Sequence, residues 1–471
     1  MKKNVIVALF TLLAMPSFAQ KVLHTNEKML EIKVNGKISS KSWAINSKIK
    51  PDVFMAEVSN EKSEVIYSDG KNNLSFDLKK GETIDFLIIQ NKKDTAYQRI
   101  IGIAPNVNFT KDYINKYKGK TEVAIPEVSE LVNILMALHP DAEKEINMFD
   151  TKTEYYKQVK EYFKPYLNHP AIDTIKKYIT DLQYIEDYKG NMFSNTSYRY
   201  YYALKMNACA YNFDKNGEIK NNGNIGQMAK GWYTFDPMKD AKVFQDFAKV
   251  SNFRVFYKNN QPYYTELLQR YNQLNPIQKM QNWLDKKFGF GYGSYAVYFS
   301  PLIYGAHSTS RFEDNGFTQT IMFIARADFD SKLTPTQNEL LESRVVFTEI
   351  DHNYVNPVSD KYVKQINEAL SNRKKWAKPT ITDMYESPYK VFNEYMTFAV
   401  YILYVHDNYS KTDLDKYLPE LNGMMSNMRG FAKFTDFNQV MLAKYKENPS
   451  INMTDLYEYM LDWCKKENEI D

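Results

Sequence analysis

Glu349 and His352 stand three residues apart inside an otherwise largely apolar run, Val345-Val346-Phe347-Thr348-Glu349-Ile350-Asp351-His352-Asn353-Tyr354-Val355-Asn356-Pro357. On a helix, positions i, i+3, i+4 and i+7 share a face, so Glu349, His352 and Asn356 align and Thr348 neighbours His352. A carboxylate beside an imidazole can move a proton near neutral pH or hold a divalent cation. Asp351 points elsewhere, about 100° from His352 and roughly 200° from Glu349. Burying Glu349 and His352 without partners would cost several kcal/mol, and a buried site is one way to supply partners.

The helix that positions them has a legible start. Thr334-Pro335-Thr336-Gln337 places a Thr at the N-cap, a Pro at the first helical position and a Gln three residues after the cap, which satisfies the free amides of a first turn. Pro357 lacks an amide proton and disfavours helical geometry at Asn356, so the spacing predicts an end just before it. The result is about twenty residues, roughly 30 Å long. Val345, Val346, Phe347, Ile350 and Tyr354 point in several directions around the axis, which predicts a central, buried helix.

Thr348-Glu349-Ile350-Asp351-His352 resembles the His-Glu-x-x-His helix of zinc metallopeptidases with its first His replaced by Thr. In the intact motif two His hold the zinc and the Glu activates a metal-bound water. A Thr hydroxyl is a poor zinc ligand, so the replacement removes one of three protein ligands. In the Glu-type branch the third ligand comes from a downstream helix. Here Glu394 is the one acid in the apolar stretch Val391 to Ile402, and a lone carboxylate there calls for a cation or a hydrogen-bond donor. These motifs, with Ser251-Asn252-Phe253-Arg254-Val255-Phe256-Tyr257, resemble the DUF4932 family of Bacteroidetes proteins over roughly residues 120 to 445. The resemblance implies a secreted zincin-type fold, with Glu349 as catalytic base and His352 and Glu394 as metal ligands. It also implies that an extended peptide substrate lies along a sheet edge beside the helix.

Composition narrows the setting. Lys2 and Lys3, an apolar run from Val5 to Met15 and Ser17-Phe18-Ala19 predict a secretory signal peptide cut after Ala19. That run is too short for a membrane span and no longer one follows. No Cys follows the cut, so lipid attachment there is not expected. A periplasmic or secreted location is. The net charge of +4 falls further when Lys2 and Lys3 leave with the leader, arguing against nucleic-acid or membrane partners. The two cysteines, Cys209 and Cys464, could pair in an oxidising compartment but define no framework. The abundant Tyr and Phe, 37 and 28 residues, read as aromatic packing more readily than as a carbohydrate-stacking surface.

Periodicity divides the mature chain into residues 20–120, a small antiparallel β domain, and residues 121–471, a mostly helical zincin-like domain with a short sheet beside the central helix, an α+β architecture. The β reading rests on hairpins such as Glu64-Val65-Ile66-Tyr67 and Leu74-Ser75-Phe76-Asp77-Leu78 around Ser68-Asp69-Gly70-Lys71. Helical stretches are expected at Ser129 to Leu138, Thr153 to Leu167, Ile172 to Tyr188, Thr196 to Ala210, Lys239 to Val250 and Pro262 to Asn275. The glycine-rich Phe288 to Gly293 leads into a strand and not a helix, so a phosphate loop fails on context. His139 and His169 precede prolines and read as surface turn residues. His307 is a loop candidate for the ligand lost at Thr348, and His406 is too far from Glu394 along its helix to share a metal.

Three readings stay open. Glu349, His352 and Glu394 form a weak zinc or other divalent site in a peptidase acting on peptides or proteins. Alternatively, the scaffold has lost its metal and serves as a binding or interaction protein, with Glu349 and His352 a buried pair. In the third, Glu349 is itself a ligand in a carboxylate metal site, which needs further acids. The reading adopted is a divergent, exported zinc metallopeptidase-like protein, with the inactive binding scaffold as alternative. One His and one Glu would hold zinc weakly or not at all.

Overall fold

The computed structural model describes residues 21–58, 62–144, 148–180, 203–229, 237–305, 307–379, 382, 385 and 387–469. The expected signal peptide, the end of the stretch to Tyr188 and the start of the Thr196 stretch lie outside them.

The chain forms two compact units, dividing between Ala104 and Pro105. The first is β throughout. Its strands are β1 (Val22–Thr25), β2 (Met29–Val34), β3 (Lys37–Ala44), β4 (Asp52–Glu57), β5 (Ser63–Ser68), β6 (Asn73–Leu78), β7 (Thr83–Gln90) and β8 (Asp94–Ile103). One sheet, β3-β2-β5-β6, is antiparallel, and β5 pairs with β6 in the predicted hairpin, Val65 opposite Phe76. Gly70 takes the turn's left-handed position, with φ +86°. The other sheet, β1-β7-β8-β4, is mixed, because β1 and β4 join its central antiparallel pair in parallel. Alternating residues of both sheets, among them Val65, Tyr67, Phe76, Phe86 and Ile88, form the core of this unit.

The second unit is mostly helical, giving a mixed α+β chain. Its boundary comes earlier than strand periodicity predicts. The helix Lys111–Tyr117 and β9 (Thr121–Ala124) already belong to it, and β9 pairs in parallel with β12 (Ser294–Tyr298). Two short strands, β10 (Tyr211–Phe213) and β11 (Ile219–Asn221), form a separate hairpin. The main sheet has the order β13-β14-β12-β9, where β13 is Ser308–Asp314 and β14 is Phe317–Phe323. The central helix, Pro335–Ser359, packs beside β13 and β14, and Asn353 Nδ2 donates to Thr309 Oγ1 of β13 at 3.2 Å.

That helix begins as predicted, with Thr334 and Gln337 closing a reciprocal capping box around Pro335. It does not end before Pro357 but continues to Ser359. A proline there cannot donate to the carbonyl four residues back, which belongs to Asn353. Tyr292 OH donates to that carbonyl instead, so the missing bond is replaced from outside the helix. Val346, Phe347, Ile350 and Tyr354 are all buried, as a central helix requires. The Pro388–Asn408 helix, buried continuously from Val391 to Val405, lies against it. Tyr401 links the two by donating to Leu340 O at 2.8 Å and packing on Phe347 with centroids 5.1 Å apart.

His139 and His169 are not surface residues. His139 is 4% exposed, closing a helix whose residues Val128 to Leu138 are all buried. The His169 side chain is 11% exposed, held by Asp246 at 3.1 Å and by the Phe247 ring. The helix before His139 is core, which draws that turn inward, whereas the helix after His169 buries one face through Ala171, Ile172 and Ile175. Cys209 and Cys464 are buried free thiols.

Candidate functional site

The central helix and the Pro388–Asn408 helix face their polar residues toward each other. His352 Nε2 stands 3.5 Å from Glu394 Oε1, the two side chains 21% and 9% exposed. Glu349, Thr348 and His352 share the predicted face. Burial pushes the Glu349 carboxyl up to about 7; Glu394 adds to the rise, while His352, Lys205 and Arg429 oppose it. The structure brings together Glu349, His352 and Glu394, the three residues that spacing and apolar context single out.

Arg429 is the residue that spacing could not reveal. The Lys411–Gly423 helix runs into a π-helical turn, Met424–Met428, and Arg429 follows it. Its Nη2 donates to Glu394 Oε2 at 2.8 Å and to Tyr385 OH at 2.7 Å. The guanidinium also lies over the rings of Phe398 and Phe431, 4.7 and 5.3 Å from their centroids. Two hydrogen bonds and two ring faces hold one orientation of a planar cation. The lone acid of the apolar helix thus finds the cation its context calls for, and that cation is a side chain. The only local hint is a basic residue inside a Met-rich turn, Met424-Met425-Ser426-Asn427-Met428-Arg429.

A second cation approaches from residues 203–207, a helical segment. Lys205 is 5% exposed, and burial pushes its ammonium down to about 8 against the pull of Cys209 and Glu349. Thr348 is buried, and its hydroxyl donates to Val345 O at 3.1 Å within its own helix, so it is turned away from ligand chemistry. Asp351 is buried, its carboxyl oxygens without a hydrogen-bond partner among the described residues, and burial first, then Glu394 and Glu349, drive its pKa well up. It is neutral. His307 Nδ1 accepts from Ala325 N–H at 3.3 Å. Burial, with Lys205, Arg344 and Arg429 nearby, pushes that imidazole down to about 3. His406 lies 3.0 Å from Asp407, in a separate cluster.

These residues do not fit a zinc ion. One oxygen of Glu394 accepts from Arg429 and the other faces His352, while Thr348 is closed onto the backbone. A tetrahedral site needs three protein donors converging within about 2.0–2.2 Å of one point. Among the described residues no three His, Cys, Asp or Glu side chains converge in this way. A divalent cation would also have to sit beside the fixed guanidinium of Arg429, a like charge.

Next to this cluster opens a cleft of about 820 Å³, bounded by Tyr304, His307, Arg326, Arg344, Tyr385 and Arg429. It is the size of a small-molecule site, and Arg429 and Tyr385 belong to both cleft and cluster. Among the described residues no helix is long and apolar enough to cross a membrane. No protein-family model, curated protein or solved structure matches the chain.

Proposed function

We propose that this chain is an exported, metal-independent ligand-binding protein on a metallopeptidase-like scaffold. The observation that carries the reading is the Arg429–Glu394–His352 arrangement, 2.8 Å and 3.5 Å between the interacting atoms. A guanidinium fixed on the would-be third ligand performs the charge neutralisation that a metal performs in the enzymes whose motif this helix resembles. Arg429, which makes this ion pair, also borders the adjoining cleft with Tyr385.

A second reading, a divergent metallopeptidase, is favoured by Glu349 alone. Its carboxyl at about 7 lies in the range suited to a general base. One experiment decides between them: metal analysis of the mature protein purified without chelator, with peptide cleavage assayed on the same sample. Zinc well below one per chain and no cleavage is the expected result. Stoichiometric zinc, with cleavage abolished by Glu349→Gln, would establish the peptidase instead.

A further inference from the structure

The cleft beside the cluster contains more charge than the protein itself neutralises. Arg326 is satisfied by Asp150 and Asp328, at 2.6 and 2.9 Å, and Arg429 by Glu394. Arg344 and Glu342, which also line the cleft, are different. Among the described residues neither has an ion-pair partner. Arg344 Nη1 reaches the Met424 sulfur at 2.8 Å. They are two residues apart on the central helix, where side chains diverge and do not meet. One cavity therefore presents a cation and a carboxylate held apart.

The cleft wall adds two unmet polar groups. Tyr271 and Asn275 line the cavity, 1% and 3% exposed. Among the described residues Tyr271 OH and Asn275 Oδ1 have no hydrogen-bond partner, although both side chains are held: the Tyr271 ring stacks on Phe299 and Asn275 Nδ2 donates to Tyr271 O. Buried polar atoms without partners are uncommon in folded proteins and point to a bound polar species. At the mouth stand two exposed apolar side chains, Tyr304 at 56% and Met428 at 76%, which can cover an apolar group.

We propose that this cleft binds a small zwitterion of the amino-acid or dipeptide class, its carboxylate on Arg344 and its ammonium on Glu342, with an apolar side chain under Tyr304 and Met428. A guanidinium binds a carboxylate with two parallel hydrogen bonds, and Glu342 supplies the acceptor for an ammonium. The volume of about 820 Å³ accommodates a dipeptide. The proposal rests on the binding reading above and names the ligand class for it.

The test is calorimetric titration of the mature chain with alanyl-phenylalanine, its C-terminal amide and its N-acetyl derivative. Wild type should bind the free dipeptide and lose at least about tenfold in affinity for each blocked form. Arg344→Gln should bind free dipeptide and amide equally, and Glu342→Gln should bind free and N-acetylated forms equally. If a variant fails to fold, judged by its thermal melt, the three ligands on wild type decide alone. Equal binding of all three forms, or no binding of the free dipeptide at about 1 mM, overturns the assignment. Zinc content measured on the same sample separates the two conclusions. A zinc-loaded protein that discriminates the three ligands overturns the metal-independent reading and keeps the cleft assignment, whereas a zinc-free protein that binds none of them does the reverse.

Discussion

Arg429 Nη2 lies 2.8 Å from Glu394 Oε2, and Glu394 is the one acid of the buried stretch Val391 to Ile402. Glu394 is 9% exposed and Arg429 29%, so removing either partner leaves the other largely desolvated. Glu394→Gln and Arg429→Met should each destabilise by roughly 2–3 kcal/mol, somewhat less than a wholly buried pair because Arg429 keeps contact with water. The double variant should recover part of that loss. Denaturant melts of the four proteins measure the coupling, and additive losses would show that the pair is energetically idle.

Thr348→His alone should raise zinc affinity little, since Arg429 still holds Glu394. Combined with Arg429→Ala it gives two imidazoles at i and i+4 with a freed carboxylate, and affinity should rise by at least tenfold, about 1.4 kcal/mol. Zinc titration of the single and double variants checks this. A full gain from Thr348→His alone would mean that the guanidinium offers no obstacle.

Glu130 predicts a pH dependence remote from the site. It is fully buried and accepts from Tyr155 OH at 2.8 Å, while Oε2 has no hydrogen-bond partner among the described residues. Burial pushes its carboxyl from 4.5 up to about 8, with Ser300 and Tyr155 opposing. The folded state therefore keeps a proton that the unfolded chain releases. Stability present below pH 4.5 is lost as pH rises to about 8, by at most about 1.4 kcal/mol per unit. Glu130→Gln should flatten unfolding free energy across that window, and an unchanged slope would rule out this origin.

Tyr292→Phe removes the hydroxyl that donates to Asn353 O beneath Pro357. The bared carbonyl should cost about 1–2 kcal/mol. Pro357→Ala in the same background restores an amide donor and should return most of the loss. Thermal melts of the two variants and their combination read this directly.

Limited proteolysis should cut between the two compact units, close to Ala104 and Pro105, and leave a stable C-terminal fragment beginning before β9. Cutting first between Lys120 and Glu127 would break the β9–β12 pairing and contradict the boundary.

Local features of this chain were legible before any tertiary contact was known. The Thr334–Gln337 capping box, the Val65–Phe76 hairpin and the shared face of Glu349 and His352 depend on bonds and angles within a few residues, which residue type and spacing encode directly. The buried central helix followed from its all-round apolar pattern, and Glu394 from being one acid in a core helix. Other features needed the fold. Pro357 stays inside its helix because Tyr292, sixty-one residues before Asn353, reaches the Asn353 carbonyl. The unit boundary falls early because β9 pairs with β12 far along the chain. Arg429 meets Glu394 across 35 positions, after a π turn that no periodicity announces. Spacing and apolar context singled out Glu349, His352 and Glu394. Packing between distant segments chose their partners, because a desolvated carboxylate takes whichever cation the fold delivers, and here the fold delivers a guanidinium.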